Sequence, residues 1–163
     1  MLVCPLLNDH SQLAQGPVPI QFFYNLMIDR LSMVTRIVSD QDVAVKFYTE
    51  KLGFEKRMDH PGPHGRFLAV APPTDDQVDL ILMEPDGFDQ EEASRLSELI
   101  GNDAGLIYAV DNCRAICETL VEKGVKFRSE PEAMPWGVQA VILDPDGNEI
   151  VLQEPTSESE WDY

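Results

Sequence analysis

From residue 31 onward the apolar positions fall into short, regular blocks. Leu31 to Val38 is rich in β-branched residues and predicts a strand. Next, Val43, Ala44, Phe47, Tyr48 and Leu52 recur at helical spacing, which predicts a helix capped by Ser39 or Asp40. Gly53 stands where such a helix wants a left-handed residue to end it. Three shorter strands are predicted near Phe54–Met58, Arg66–Ala71 and Val78–Met83, separated by the turn sequences His60-Pro-Gly-Pro-His64 and Pro72-Pro-Thr.

The same order then recurs. Leu106–Val110 predicts a strand, and Asp111 or Asn112 caps a helix that ends at Lys123-Gly124. Its apolar stripe is Cys113, Ile116, Cys117, Leu120 and Val121. Strands near Val125–Arg128, Val138–Leu143 and Glu149–Gln153 complete the unit. Asp40 and Asp111 are 71 residues apart, as are Gly53 and Gly124. Cap and terminator keep one register, so the chain reads as two copies of a βαβββ unit. Glu84-Pro-Asp-Gly87 and Asp144-Pro-Asp-Gly147 look alike but are not equivalent, because the first follows its last strand and the second turns between the last two. Asp89–Ile100 predicts a linking helix, with Ala93, Leu96 and Ile100 inward and Gly101 closing it. The expected fold class is α+β. Its expected parts are an accessory segment over 1–30, modules over 31–87 and 105–155, a link over 88–104 and an acidic tail over 156–163.

With 163 residues, 44% of them hydrophobic, the chain suits one compact domain or two halves sharing a core. Its apolar runs are too short for a transmembrane helix, and the first residues lack the basic region and apolar core of a signal peptide. The expected compartment is therefore the cytoplasm. Three scattered cysteines give no disulfide framework, and Cys113 and Cys117 lack the second pair that would complete a four-ligand metal site. Twelve basic against 29 acidic residues give a net charge of −17. That balance argues against nucleic acid, whose binding rests on cations neutralising phosphates, and it would steer a cationic ligand inward. The acidic stretch from Asp75 to Asp103 and the tail Glu154, Glu158, Glu160, Asp162 read as solvated surface. No Gly-x-Ser-x-Gly, phosphate loop or dinucleotide fingerprint is present, so nucleophilic hydrolysis and nucleotide chemistry lack support. His10 falls in the leader, while His60 and His64 flank a turn and are expected on the surface.

Four phrases carry a family signal: Ser39-Asp-Gln-Asp-Val-Ala-Val-Lys-Phe-Tyr-Thr-Glu-Lys-Leu-Gly-Phe54, Val121-Glu-Lys-Gly-Val-Lys-Phe127, Pro135-Trp-Gly-Val-Gln-Ala140 and Leu143-Asp-Pro-Asp-Gly-Asn-Glu-Ile-Val-Leu152. In order and spacing they resemble the vicinal oxygen chelate superfamily of glyoxalase I, the bleomycin-resistance proteins and the extradiol dioxygenases, over residues 31–155. The resemblance implies two modules curled into a half-open barrel around a cleft. Enzyme members hold a divalent metal there with four side chains, usually His, Gln or Glu, from the first and last strands of each module. Those positions fall here at Met33, Ile81, Gly105 and Val151, none of which suits a hard or borderline cation. Asp79 and Glu149 lie two positions from Ile81 and Val151 on the same strand faces, and offer a displaced carboxylate pair. No metal and no other cofactor are expected.

By strand parity Met33, Thr35, Ile81 and Met83 share one face in the first module, and Ile107, Val151 and Gln153 share one in the second. This mostly apolar surface suits capture of a small organic ligand, a cation included. Trp136 and Gln139, on the lip before the penultimate strand, add a stacking plane and an orienting amide. The expected function is metal-independent binding of a small molecule, similar to the bleomycin-resistance type and, like it, in a homodimer. The alternative is a lyase or isomerase resembling glyoxalase, working through the displaced metal site or with Glu149 or Asp79 as general base. Glutathione is anionic and would need a local basic patch, for which Arg36 and Arg66 are the candidates.

Overall fold

The structure, a computed structural model, describes residues 30–156. The leader with His10 and the acidic residues Glu158, Glu160 and Asp162 lie outside the described residues. The described strands and helices belong to one compact unit that begins at Leu31.

The first module comprises β1 (Met33–Ile37), α1 (Gln41–Lys46) running on into a π-helical turn (Phe47–Lys51), β2 (Glu55–Gly62), β3 (Gly65–Ala71) and β4 (Asp79–Met83). A 3-10 turn (Pro85–Gly87) and α2 (Gln90–Ser97) lead to the second module: β5 (Leu106–Ala109), α3 (Cys113–Glu122), β6 (Lys126–Met134), β7 (Gly137–Leu143) and β8 (Glu149–Pro155). Each module forms its own four-stranded sheet, in the orders β1-β4-β3-β2 and β5-β8-β7-β6. β1 is parallel to β4 and β5 to β8, and the other pairs are antiparallel. The class is α+β, with two tandem βαβββ units and sheets that do not close. The two Pro-Asp-Gly phrases separate as expected, one in the 3-10 turn after β4 and the other in the turn joining β7 to β8.

The helices cover one face of each sheet. Val38, Leu68, Val70, Leu80 and Leu82 pack with Ala44, Phe47 and Tyr48, in one continuous cluster with Cys113, Cys117, Leu120, Ala140, Ile142, Ile150 and Leu152 of the second module. Neither module therefore has a core of its own. Both cysteines are core residues, and burial, first among its causes, pushes the Cys117 thiol up to about 12. Two positions expected in the apolar stripes face outward: Val43 is 49% exposed and Val121 is 55% exposed.

The helix caps refine the repeat. Asp40 accepts from the amide of Val43, and Asn112, rather than Asp111, accepts from the amide of Ala115. Gly53 and Gly124 end the helices at φ of 77° and 70°. The first helix thus carries one more residue between cap and glycine than the second. The π turn absorbs it: Leu52 N–H donates to the carbonyl of Phe47, five residues back, at 3.3 Å.

β2 and β6 run further than expected, through Pro61 and Pro131. Both are outer strands of their sheets, where a missing N–H on the unpaired side costs no ladder bond. The expected turn His60–His64 narrows to Pro63-His64, closed by the Gly62–Gly65 pair.

Side chains join the modules. Arg36, fully buried in β1, donates to the Tyr48 hydroxyl at 3.3 Å and to the carbonyls of Ala104 and Glu149 at 3.2 and 3.1 Å. Tyr48 donates in turn to Asp144 at 3.3 Å, and Asn148 donates to Asp144 at 2.9 Å. Ser39 reaches the Asp146 carboxylate from both its amide and its hydroxyl. Arg36 Nε, 3.7 Å from Asp103, has no hydrogen bond of its own among the described residues.

Candidate functional site

The ladders fix which side chains share a face. Met33 is level with Asp79, Thr35 with Ile81 and Ile37 with Met83. Ile107 is level with Val151 and Ala109 with Gln153, while Gln139 and Val141 lie across from Gln153 and Val151. These residues point away from the helices, so the strand-parity expectation holds within each module. The two sheets offer different surfaces. In the first, Ile81 is buried, Met83 is half-buried, and Met33 and Thr35 are exposed. In the second, Ile107 is 64% exposed and Val151, Gln153 and Gln139 are half-buried. Trp136, 43% exposed in the β6–β7 turn, donates from Nε1 to Gln139 Oε1 at 3.1 Å. The indole therefore lies over the helix-free face of the second sheet, held by the residue expected to be its partner.

A cleft of about 390 Å³ opens at the seam between the edge strands β1 and β5. Val34, Val78, Leu80, Leu106, Ile107 and Ala109 make apolar walls, and Asp75, Asp79 and Tyr108 supply the ionisable groups. Of the nine expected ligand contacts only Ile107 lines this cleft. Val34, Leu80, Leu106 and Tyr108 come from the opposite, helix-facing parity, which the strand-face reading did not include. Burial, opposed by nearby Arg36 and reinforced by Asp75, pushes the Tyr108 phenol up to about 12, so it stays a neutral donor. Its ring packs edge-on against Phe54 at 5.3 Å, continuing an aromatic chain from Phe47 and Tyr48. Asp75 Oδ1 accepts from the amides of Gln77 and Val78 at 2.9 and 3.3 Å. The Asp79 carboxylate takes up no hydrogen bond or ion pair among the described residues. Among the described residues no Lys, Arg or His lines the cleft.

The family model of the glyoxalase/bleomycin resistance protein/dioxygenase superfamily matches residues 30–152. The chain belongs to that superfamily. It is 32% identical over 131 residues to YetH of Bacillus subtilis strain 168, an alignment covering 78% of this chain and all of YetH. Among solved structures it is similar to UcmS2, with a TM-score of 0.71 and 39% identity over 78% of this chain and 99% of the other. It is also similar to TnmS3, an antibiotic binding protein from Streptomyces sp. CB03234, with a TM-score of 0.68 and 38% identity over 79% of this chain and 98% of TnmS3.

The four strand positions at which the resemblance places metal-holding side chains, Met33, Ile81, Gly105 and Val151, carry a thioether, two alkyl groups and, at the glycine, no side chain. A Cβ added at Gly105 would lie 3.5 Å from Glu149 Cβ and Val151 Cγ2, so this position faces the helix-free side and has no donor to offer. The set does not fit a divalent cation. Among the described residues no three His, Cys, Asp or Glu side chains converge. Of the displaced pair, Glu149 forms an ion pair with Arg128, and Asp79 lies on the other sheet in the seam cleft. His60 and His64 stack on Phe67 and Phe88 at 5.3 and 4.5 Å and are exposed, as expected. The expected basic patch is corrected: Arg36 is wholly internal, and Arg66 is engaged by Asp59 and Asp42, each at 2.7 Å. Among the described residues no helix is long and apolar enough to cross a membrane.

Proposed function

We propose that this protein binds a small organic molecule of the antibiotic class, without a metal, and sequesters it rather than transforming it. The observation that carries this reading is the likeness to TnmS3, an antibiotic binding protein, over nearly the whole of TnmS3. The seam cleft supports it with apolar walls and a few hydrogen-bonding groups, a composition typical of small-molecule sites. From the cleft the ligand extends past Ile107 over the helix-free face, towards Val151, Gln153, Gln139 and Trp136, with Met33, Thr35, Ile81 and Met83 on the facing sheet. Two carboxylates and, among the described residues, no basic group in the lining favour an organic cation. The proposed working form is a cytoplasmic homodimer.

The test has two arms. Protein incubated with Ni²⁺, Zn²⁺, Mn²⁺ and Fe²⁺ and then desalted should retain less than about a tenth of an equivalent of any of them. The same metal-free protein should bind one member of a natural-product antibiotic panel, bleomycin included, in calorimetry. Retention near one equivalent overturns metal independence, and a panel without a binder overturns the ligand class.

One observation favours a second reading as a lyase or isomerase. Asp79, a candidate general base, has an unengaged carboxylate in the cleft. Such an enzyme would exchange the α-protons of a bound carbonyl compound with solvent deuterium, and Asp79→Asn would abolish the exchange.

A further inference from the structure

We infer that a second groove, between the π turn of the first helix and the start of β6, binds a small organic anion with an apolar body. It has a volume of about 320 Å³, within the range of small-molecule pockets, and shares no lining residue with the seam cleft. Phe47, Val125 and Leu143 form its floor, and the half-exposed Val43 extends it. Lys46, Lys51 and Lys126 form the rim.

The charge distribution carries the argument. The chain has a net charge of −17 and only five lysines, of which these are three. A fourth, Lys123, stands beside them, donating from Nζ to the carbonyls of Glu50 and Lys51 at 3.2 and 2.8 Å. Four of the five lysines thus gather at one groove of an acidic protein. The ammonium groups of Lys46, Lys51 and Lys126 make no hydrogen bond or ion pair among the described residues, although carboxylates abound elsewhere. Lys51 Nζ lies over Gly124, within 4.0 Å of where a Cβ would stand. Two carboxylates also line the groove. Asp144 is buried, with its oxygens taken up by Tyr48, Asn148 and the amides of Asp146 and Asn148. Glu50 is exposed, one helical turn from Lys46. The groove is left with unpaired cations above an apolar floor, the complement of a fatty or aromatic carboxylate. The ammoniums hold the head and the floor takes the body.

The full chain would be titrated with octanoate and, as its charge-reversed counterpart, octyltrimethylammonium, following backbone amide shifts by NMR. Octanoate is expected to shift Gly124, Val125 and Leu143 saturably, and octyltrimethylammonium to leave them in place. Lys126→Glu, at an exposed position, should weaken octanoate by about tenfold, the loss of one charge-assisted contact. Lys51→Glu should do the same, with circular dichroism confirming that each variant is folded. Equal shifts from the two amphiphiles, or octanoate affinity unchanged in both variants, would overturn the inference and leave the lysine stems as mere cover for the floor. The seam cleft and its ligand are unaffected by either outcome.

Discussion

Arg36 and Tyr48 meet at 3.3 Å inside the molecule, guanidinium to phenol, and neither side chain reaches solvent. Arg36 starts on the first strand, yet its other nitrogen serves two carbonyls around the second module, and Tyr48 hands the interaction on to Asp144. The two sheets share no ladder, so this relay substitutes for backbone pairing between them. Tyr48→Phe keeps the ring in place and removes the link, leaving a guanidinium N–H and a carboxylate oxygen each short of a buried partner. A loss of about 1–3 kcal/mol is expected in urea unfolding. Unchanged stability would mean that the apolar core alone holds the halves together.

The phenols also set a pH limit. Tyr108 titrates at about 12 in the folded protein against an ordinary value of 10.0, and burial moves Tyr48 in the same direction. Raised values favour the protonated, folded form. Their contribution is complete below pH 10.0 and is lost as the pH climbs towards 12, because the unfolded chain ionises first. Denaturant midpoints are expected to fall steeply over that interval and less steeply in Tyr108→Phe. Equal slopes in the two proteins would contradict the shift.

Gly53 and Gly124 close equivalent helices in left-handed conformations. A Cβ at Gly53 would touch nothing within 4 Å and one at Gly124 only the end of Lys51, so substitution penalises backbone conformation rather than packing. Gly53→Ala and Gly124→Ala should each cost about 1 kcal/mol in thermal or urea unfolding, and their effects should add. A large difference between them would show that the helix ends are not equivalent.

Trp136 and Gln139 act as a pair at 3.1 Å on an open face, so removing them should leave the core untouched. Trp136→Ala is expected to weaken whichever antibiotic binds by about tenfold and to change unfolding stability by no more than about 0.5 kcal/mol. Calorimetry on the variant, with the wild-type titration beside it, checks both numbers. Full affinity in Trp136→Ala would remove the lip from the proposed site.

The sequence made the repeat legible because its punctuation is local: a cap, an apolar stripe and a glycine lie within each helix. Edge-strand extent was less legible, because Pro61 and Pro131 read as turns unless the strand is known to lie outermost. Strand parity sorted Met33, Thr35, Ile81 and Met83 from Val34 and Leu80 correctly. It could not reveal that the seam would part and admit Val34, Leu80, Leu106 and Tyr108 to a cleft, since that depends on the distance between two edges that never pair. The place of Arg36, offered with Arg66 for a basic patch, is illegible in the sequence for a related reason. An arginine in a strand looks like surface charge until a tyrosine twelve residues later and carbonyls from the other half of the chain fold around it.

An unzipped join of this kind makes the protein adaptable. The ladders of each sheet end at the boundary, so the spacing across it is set by side chains, the shared core and the Arg36 relay rather than by backbone pairing. Substitutions at the lining of that gap, Val34, Leu80, Leu106 and Ile107, would change its width without breaking a single ladder bond of either sheet.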